Sequence, residues 1–122
     1  WVELALARNG ETRVGVHARQ IEDRGGEMER AVRLRKPPRV LETLATLLAQ
    51  SIERMVDQAI EMRGRGNPRP AVRAMVALRA MQRRLDQVIA QASPDVRPAL
   101  QRLRRVRQHR RPVIILWLMP CC

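Results

Sequence analysis

Seven arginines and no acid occupy the stretch from Val96 to Arg111: Arg97, Arg102, Arg104, Arg105, Arg107, Arg110 and Arg111. A guanidinium is a planar fork that grips phosphate through two parallel N–H···O contacts, so a run of this kind is chemistry for a polyanion. Neutralising phosphates releases condensed counterions, which makes the binding steeply salt-dependent and largely indifferent to base sequence. Arg63, Arg65 and Arg69, in a stretch rich in Gly and Pro, would extend the same surface. The plainer alternative is a solvated basic face, partly neutralised by acids elsewhere in the chain. The chain has no Phe and no Tyr, and its two tryptophans, Trp1 and Trp117, stand near its ends. No aromatic is therefore placed to stack bases in the manner of single-strand platforms.

Other chemistry has little to stand on. His17 and His109 have no Cys, Asp or Glu at metal-ligand spacing. The two serines read as structural, Ser51 inside a helix and Ser93 as a helix cap. Arg63-Gly64-Arg65-Gly66 lacks the Lys followed by Ser or Thr that a phosphate-cradling loop requires. No acyl-transfer signature is present. The expectation is a protein that is not an enzyme, with no metal, no cofactor and no small-molecule substrate.

The totals bound the scaffold that must position those arginines. A chain of 122 residues suits one domain with a modest core. An apolar content of 45% suits a folded protein. Lys36 is the single lysine among 24 basic residues, a bias that a GC-rich coding sequence produces by itself. Codon bias does not account for the net charge of +12. That charge is unevenly placed: residues 1–61 hold ten basic and ten acidic side chains, whereas residues 62–122 hold fourteen basic and two acidic. Such asymmetry speaks to partners. No leader pattern precedes the first elements, no apolar run reaches the ~18 residues of a membrane span, and a membrane-surface partner is disfavoured. The only cysteines, Cys121 and Cys122, are adjacent and build no disulfide framework, which predicts a reducing, cytoplasmic setting.

An aliphatic core without aromatic rings favours helix-on-helix packing, and the periodicity agrees. Leu41, Leu44, Leu48, Ile52, Met55, Ala59 and Met62 recur at spacings of three and four, one stripe on a helix, with Leu47, Val56 and Ile60 widening it. A second stripe runs through Val72, Met75, Leu78, Met81, Leu85, Val88 and Ala92. Together they predict a helical hairpin over 40–91. A third helix follows over about 95–110, with Leu100, Leu103 and Val106 on its inner side. It starts either at Ser93-Pro94-Asp95 or near Pro98. The fold class is all-α, a small helical bundle. Residues 1–38 read as irregular, because Gly10, Gly15 and Gly25-Gly26 interrupt any pattern. Residues 39–111 form the helical domain, and 112–122 an apolar C-terminal tail.

The leading expectation is a nucleic-acid-binding or nucleoprotein-assembly protein, DNA or RNA, that contacts phosphates through the arginines named above. The alternative is a helical interaction or adaptor module, homodimeric through its apolar stripes, with no nucleic-acid role.

Overall fold

The computed structural model describes residues 10–105, and every element in that span is helical. In chain order these are α1 (Gly10–Arg33), α2 (Pro38–Gly64) and α3 (Arg69–Gln91), then α4, described over 97–105. The protein is an all-α helical bundle. The apolar tail, Val106, Arg107, Arg110 and Arg111 lie outside the described residues.

The hairpin forms where the stripes place it. Pro38 sits in the first turn of α2, where a missing N–H costs nothing and a fixed φ is already helical. Leu41, Leu48, Ile52, Met55, Val56 and Ala59 are buried along its length. Its end is a Schellman motif: the Asn67 N–H donates to the Met62 carbonyl at 2.9 Å and the Gly66 N–H to that of Arg63 at 3.0 Å. Gly66 supplies the left-handed residue, with φ of 86°. The α1–α2 corner repeats the motif through Lys36 N–H to Ala31 O and Arg35 N–H to Val32 O, at 2.9 and 3.1 Å. There the left-handed position is held by Arg35, φ 52°, a side chain that pays the Cβ penalty glycine avoids.

Two expectations are corrected. The first is the irregular region 1–38, because residues 10–33 are one helix. Its stripe is Val14, His17, Ile21, Arg24, Met28 and Ala31, at alternating spacings of three and four. Two of those six positions are polar, which hides the stripe from an apolar pattern search. Both find partners. The His17 Nδ1 lies 3.3 Å from the Gln20 Oε1. Arg24 donates to the Leu47 carbonyl at 3.0 Å and to the Ser51 hydroxyl of α2. Gly15 and Gly25 belong to the adjacent face, turned to α3. A Cβ on Gly25 would lie 2.7 Å from the Met81 methyl and 3.1 Å from an Arg84 nitrogen. Side chains from α3 thus fill the space that α1 leaves empty, and packing overrides the low helix propensity of glycine. α1 packs against α2 more extensively than α3 does, so it completes the hairpin's core.

The second correction concerns the start of α3. Val72 and Val76 are 55% and 63% exposed, while Pro70, Ala71 and Ala74 take the buried positions. The inward stripe begins on small residues and joins the expected one at Leu78, Met81, Leu85 and Val88. Leu47, expected to widen the α2 stripe, is likewise exposed. The start of α4 falls at the second of the two expected sites. Residues 94–96 form a turn, and the helix begins at 97 with Pro98 in its first turn. The Ser93 hydroxyl donates to the Asp95 carboxylate rather than capping a helix that starts at Pro94. Val96, Ala99, Leu100 and Leu103 then seat α4 on the core.

Candidate nucleic-acid interface

α4 is amphipathic because its apolar residues recur at 96, 99, 100 and 103 and are buried, which leaves the remaining positions in solvent. Arg97, Arg102, Arg104 and Arg105 are all exposed. They point in different directions. The Arg97 Nε donates to the Ala92 carbonyl at 3.1 Å, closing the end of α3. Arg102 reaches α2, with an Nη2 3.8 Å from the Glu42 carboxylate. It also borders a shallow groove of about 240 Å³ between α2 and α4, where Glu53 adds a second acid. Arg104 turns to α3, its Nε 3.7 Å from Asp86. Arg105 has no ion pair among the described residues. Exposed pairs of this length are worth ~0–1 kcal/mol, so a phosphate can displace either carboxylate at little cost.

The loop arginines are not brought to this cluster. Arg65 pairs with Glu61 at 2.8 Å. Arg63 is half-buried, and Arg69 is exposed at the N-terminal end of α3. Arg104 meets α3 at Asp86, seventeen residues further on, which at ~1.5 Å per residue is about 26 Å along the helix axis.

Two arginines bridge part of that distance and are absent from the expected contacts. Arg79 and Arg83 lie one turn apart on the outward side of α3, both exposed. Asp86 follows Arg83 by three residues, so Arg79, Arg83 and Arg104 share one surface. The signal is in the sequence, since both arginines fall off the apolar stripe of α3. Between Met62 and Arg105 eleven arginines face only two acids, Asp86 and Asp95.

Elsewhere arginine is internal. Arg84 ties α3 to α1 with an Nη1 donating to the Glu22 carbonyl at 2.9 Å and an Nε 3.5 Å from Glu29. Arg24 does the same between α1 and α2. Burial lowers the pKa of His17 below its usual 6.5, and the charges of Arg54 and Arg24 push it the same way, against the Gln20 hydrogen bond. Among the described residues no group of His, Cys, Asp and Glu is placed to hold a metal ion. No helix there is long and apolar enough to cross a membrane.

No family model matches the chain, and neither the curated proteins nor the solved structures yield a match.

Proposed function

We propose that the protein binds nucleic acid, as a binding protein and not a catalyst, through the arginines that α3 and α4 turn to solvent. Arg79, Arg83, Arg104 and Arg105 form the centre of the surface, with Arg102 at its edge. The observation that carries the reading is the coincidence of exposed arginines with near absence of acid on α3 and α4, where Asp86 is the one carboxylate within the cluster. The contacts suit the phosphate backbone, so affinity without base preference is expected.

The test is fluorescence anisotropy with labelled duplex DNA and duplex RNA across a salt series. Four phosphate contacts predict a slope of about −3.6 for log K against log salt on DNA. Changing Arg79, Arg83, Arg104 and Arg105 to Gln should bring the slope close to zero with the melting temperature retained. Absence of binding at low salt defeats the proposal.

A second reading is a helical module for an acidic protein partner or a second copy of itself. The exposure of Val72 and Val76 beside Arg73 favours it. Sedimentation equilibrium at high salt decides whether the chain self-associates, and Val76→Asp would abolish an association seated there.

A further inference from the structure

α1 and α3 enclose a half-open groove of about 330 Å³ that lies on the side of α3 away from the α4 arginines. Its lining is largely aliphatic: Ile21 of α1, with Ala77 and Met81 of α3 and the exposed Val76 and Ala80. Arg19, Arg73 and Arg84 stand among its walls, with Glu22 as the single acid. Arg84 is held by the Glu22 carbonyl and Glu29.

Arg73 differs. It has no ion pair or hydrogen-bond partner among the described residues. Its side chain is exposed, and its guanidinium lies over Gly15, where an added Cβ would meet Cζ at 3.1 Å, Nη2 at 3.2 Å and Nη1 at 3.4 Å. With Cζ the nearest of the three, the face of the group rests on the α1 backbone. Its N–H donors lie in the plane and are not consumed by that contact. A cationic fork lying flat at the edge of an aliphatic trough is complementary to an anion that carries an apolar tail. A bare phosphate would leave the trough empty, and a neutral alkane would leave the fork unused.

We infer that the α1–α3 groove binds a medium-chain aliphatic carboxylate, with its head on Arg73 and its chain along Val76, Ala77, Ala80 and Met81. The volume lies at the small end of the ~300–1,000 Å³ typical of small-molecule sites, which fits a chain of about eight carbons. The site uses none of the four arginines central to nucleic-acid binding, so either reading can fail without the other.

The experiment is titration of the ¹⁵N-labelled protein with octanoate, followed by amide shifts and checked by calorimetry. The expected result is saturable shifts confined to the neighbourhood of Gly15, Ala18, Val76, Ala77 and Ala80. Arg73→Gln should weaken octanoate binding about tenfold or more, as loss of a charge-assisted contact does. Arg83→Gln removes the same charge outside the groove and should leave affinity within about twofold, since long-range terms between exposed charges are screened. Ala80→Glu, at an exposed lining position, should abolish binding by placing a carboxylate in the trough. 1-Octanol should bind as weakly to the unmodified protein as octanoate does to Arg73→Gln. Shifts spread over the whole basic surface, equal losses from Arg73→Gln and Arg83→Gln, or no saturation at millimolar octanoate would each overturn the inference.

Discussion

Adjacent glycines in one helix offer a controlled test of how α1 meets α3. Gly25 and Gly26 have the same helix-propensity deficit, and replacing either by Ala in an exposed helix gains ~0.8–1.0 kcal/mol. Their surroundings differ. A Cβ on Gly26 would find nothing nearer than an Arg84 nitrogen at 3.9 Å, ordinary contact, so Gly26→Ala should stabilise by about the full ~1 kcal/mol. A Cβ on Gly25 would sit 2.7 Å from the Met81 methyl, 3.1 Å from the Arg84 Nη1 and 3.3 Å from its Cδ. Overpacking costs ~1–3 kcal/mol, and a mobile thioether end puts this site near the lower bound. Gly25→Ala should therefore be neutral to destabilising by about 1 kcal/mol, a difference of at least ~1 kcal/mol from its neighbour. Truncating Met81 to Ala removes the closest obstacle. In that background Gly25→Ala should recover most of the propensity gain, a coupling of about 1–2 kcal/mol. Urea denaturation followed by circular dichroism reads these numbers, and each kcal/mol should move the melting temperature by roughly 4 °C. Equal stabilisation by Gly25→Ala and Gly26→Ala, with no dependence on Met81, would refute the close packing of the two helices there.

Other substitutions probe single features. Arg35→Gly relieves the left-handed side chain at the α1–α2 corner and should stabilise by about 0.5–1 kcal/mol in the same denaturation assay. Leu100→Ala, at a fully buried position, should cost ~2–5 kcal/mol if α4 is seated on the core as described; a loss under ~1 kcal/mol would mean that it is not. Because the folded state holds His17 below 6.5, the unfolded chain binds the proton more tightly. Stability should thus be intact above about pH 6.5 and fall as the pH drops below it, by no more than ~1.4 kcal/mol per pH unit, and His17→Leu should flatten that dependence.

Much of the scaffold was legible because burial on α2 and the latter part of α3 follows apolar identity. Leu41, Leu48, Ile52, Met55, Leu78, Leu85, Leu100 and Leu103 are all buried, as their spacing implies. α1 was not legible, for two reasons that no local window contains. The partners of Arg24, Leu47 and Ser51, lie more than twenty residues along the chain. Gly25 is explained by Met81 and Arg84, more than fifty residues away. On the basic surface, amphipathicity placed Arg97, Arg104 and Arg105 in solvent, where they are, and Arg102 is exposed beside them. Chain proximity misled for Arg63, Arg65 and Arg69, because a helix of 23 residues carries them to the other end of α3. Arg79 and Arg83 went unselected since an off-stripe arginine looks the same whether it faces a partner or only water.

The arginine that fastens helices has a consequence for how this protein can be rewritten. Arg84 uses two different nitrogens at once, Nη1 on a backbone carbonyl of α1 and Nε toward a carboxylate a little under two turns on. Lysine has one nitrogen at the end of a flexible stem and cannot span both positions. A lysine-recoded chain would keep the formal charge of +12 unchanged. On the proposed reading its outward face would still attract a polyanion, but the seam between α1 and α3 would lose its brace, so the recoded protein should melt earlier with the proposed binding retained. The proposed affinity and the stability, which draw on a single residue type, would come apart.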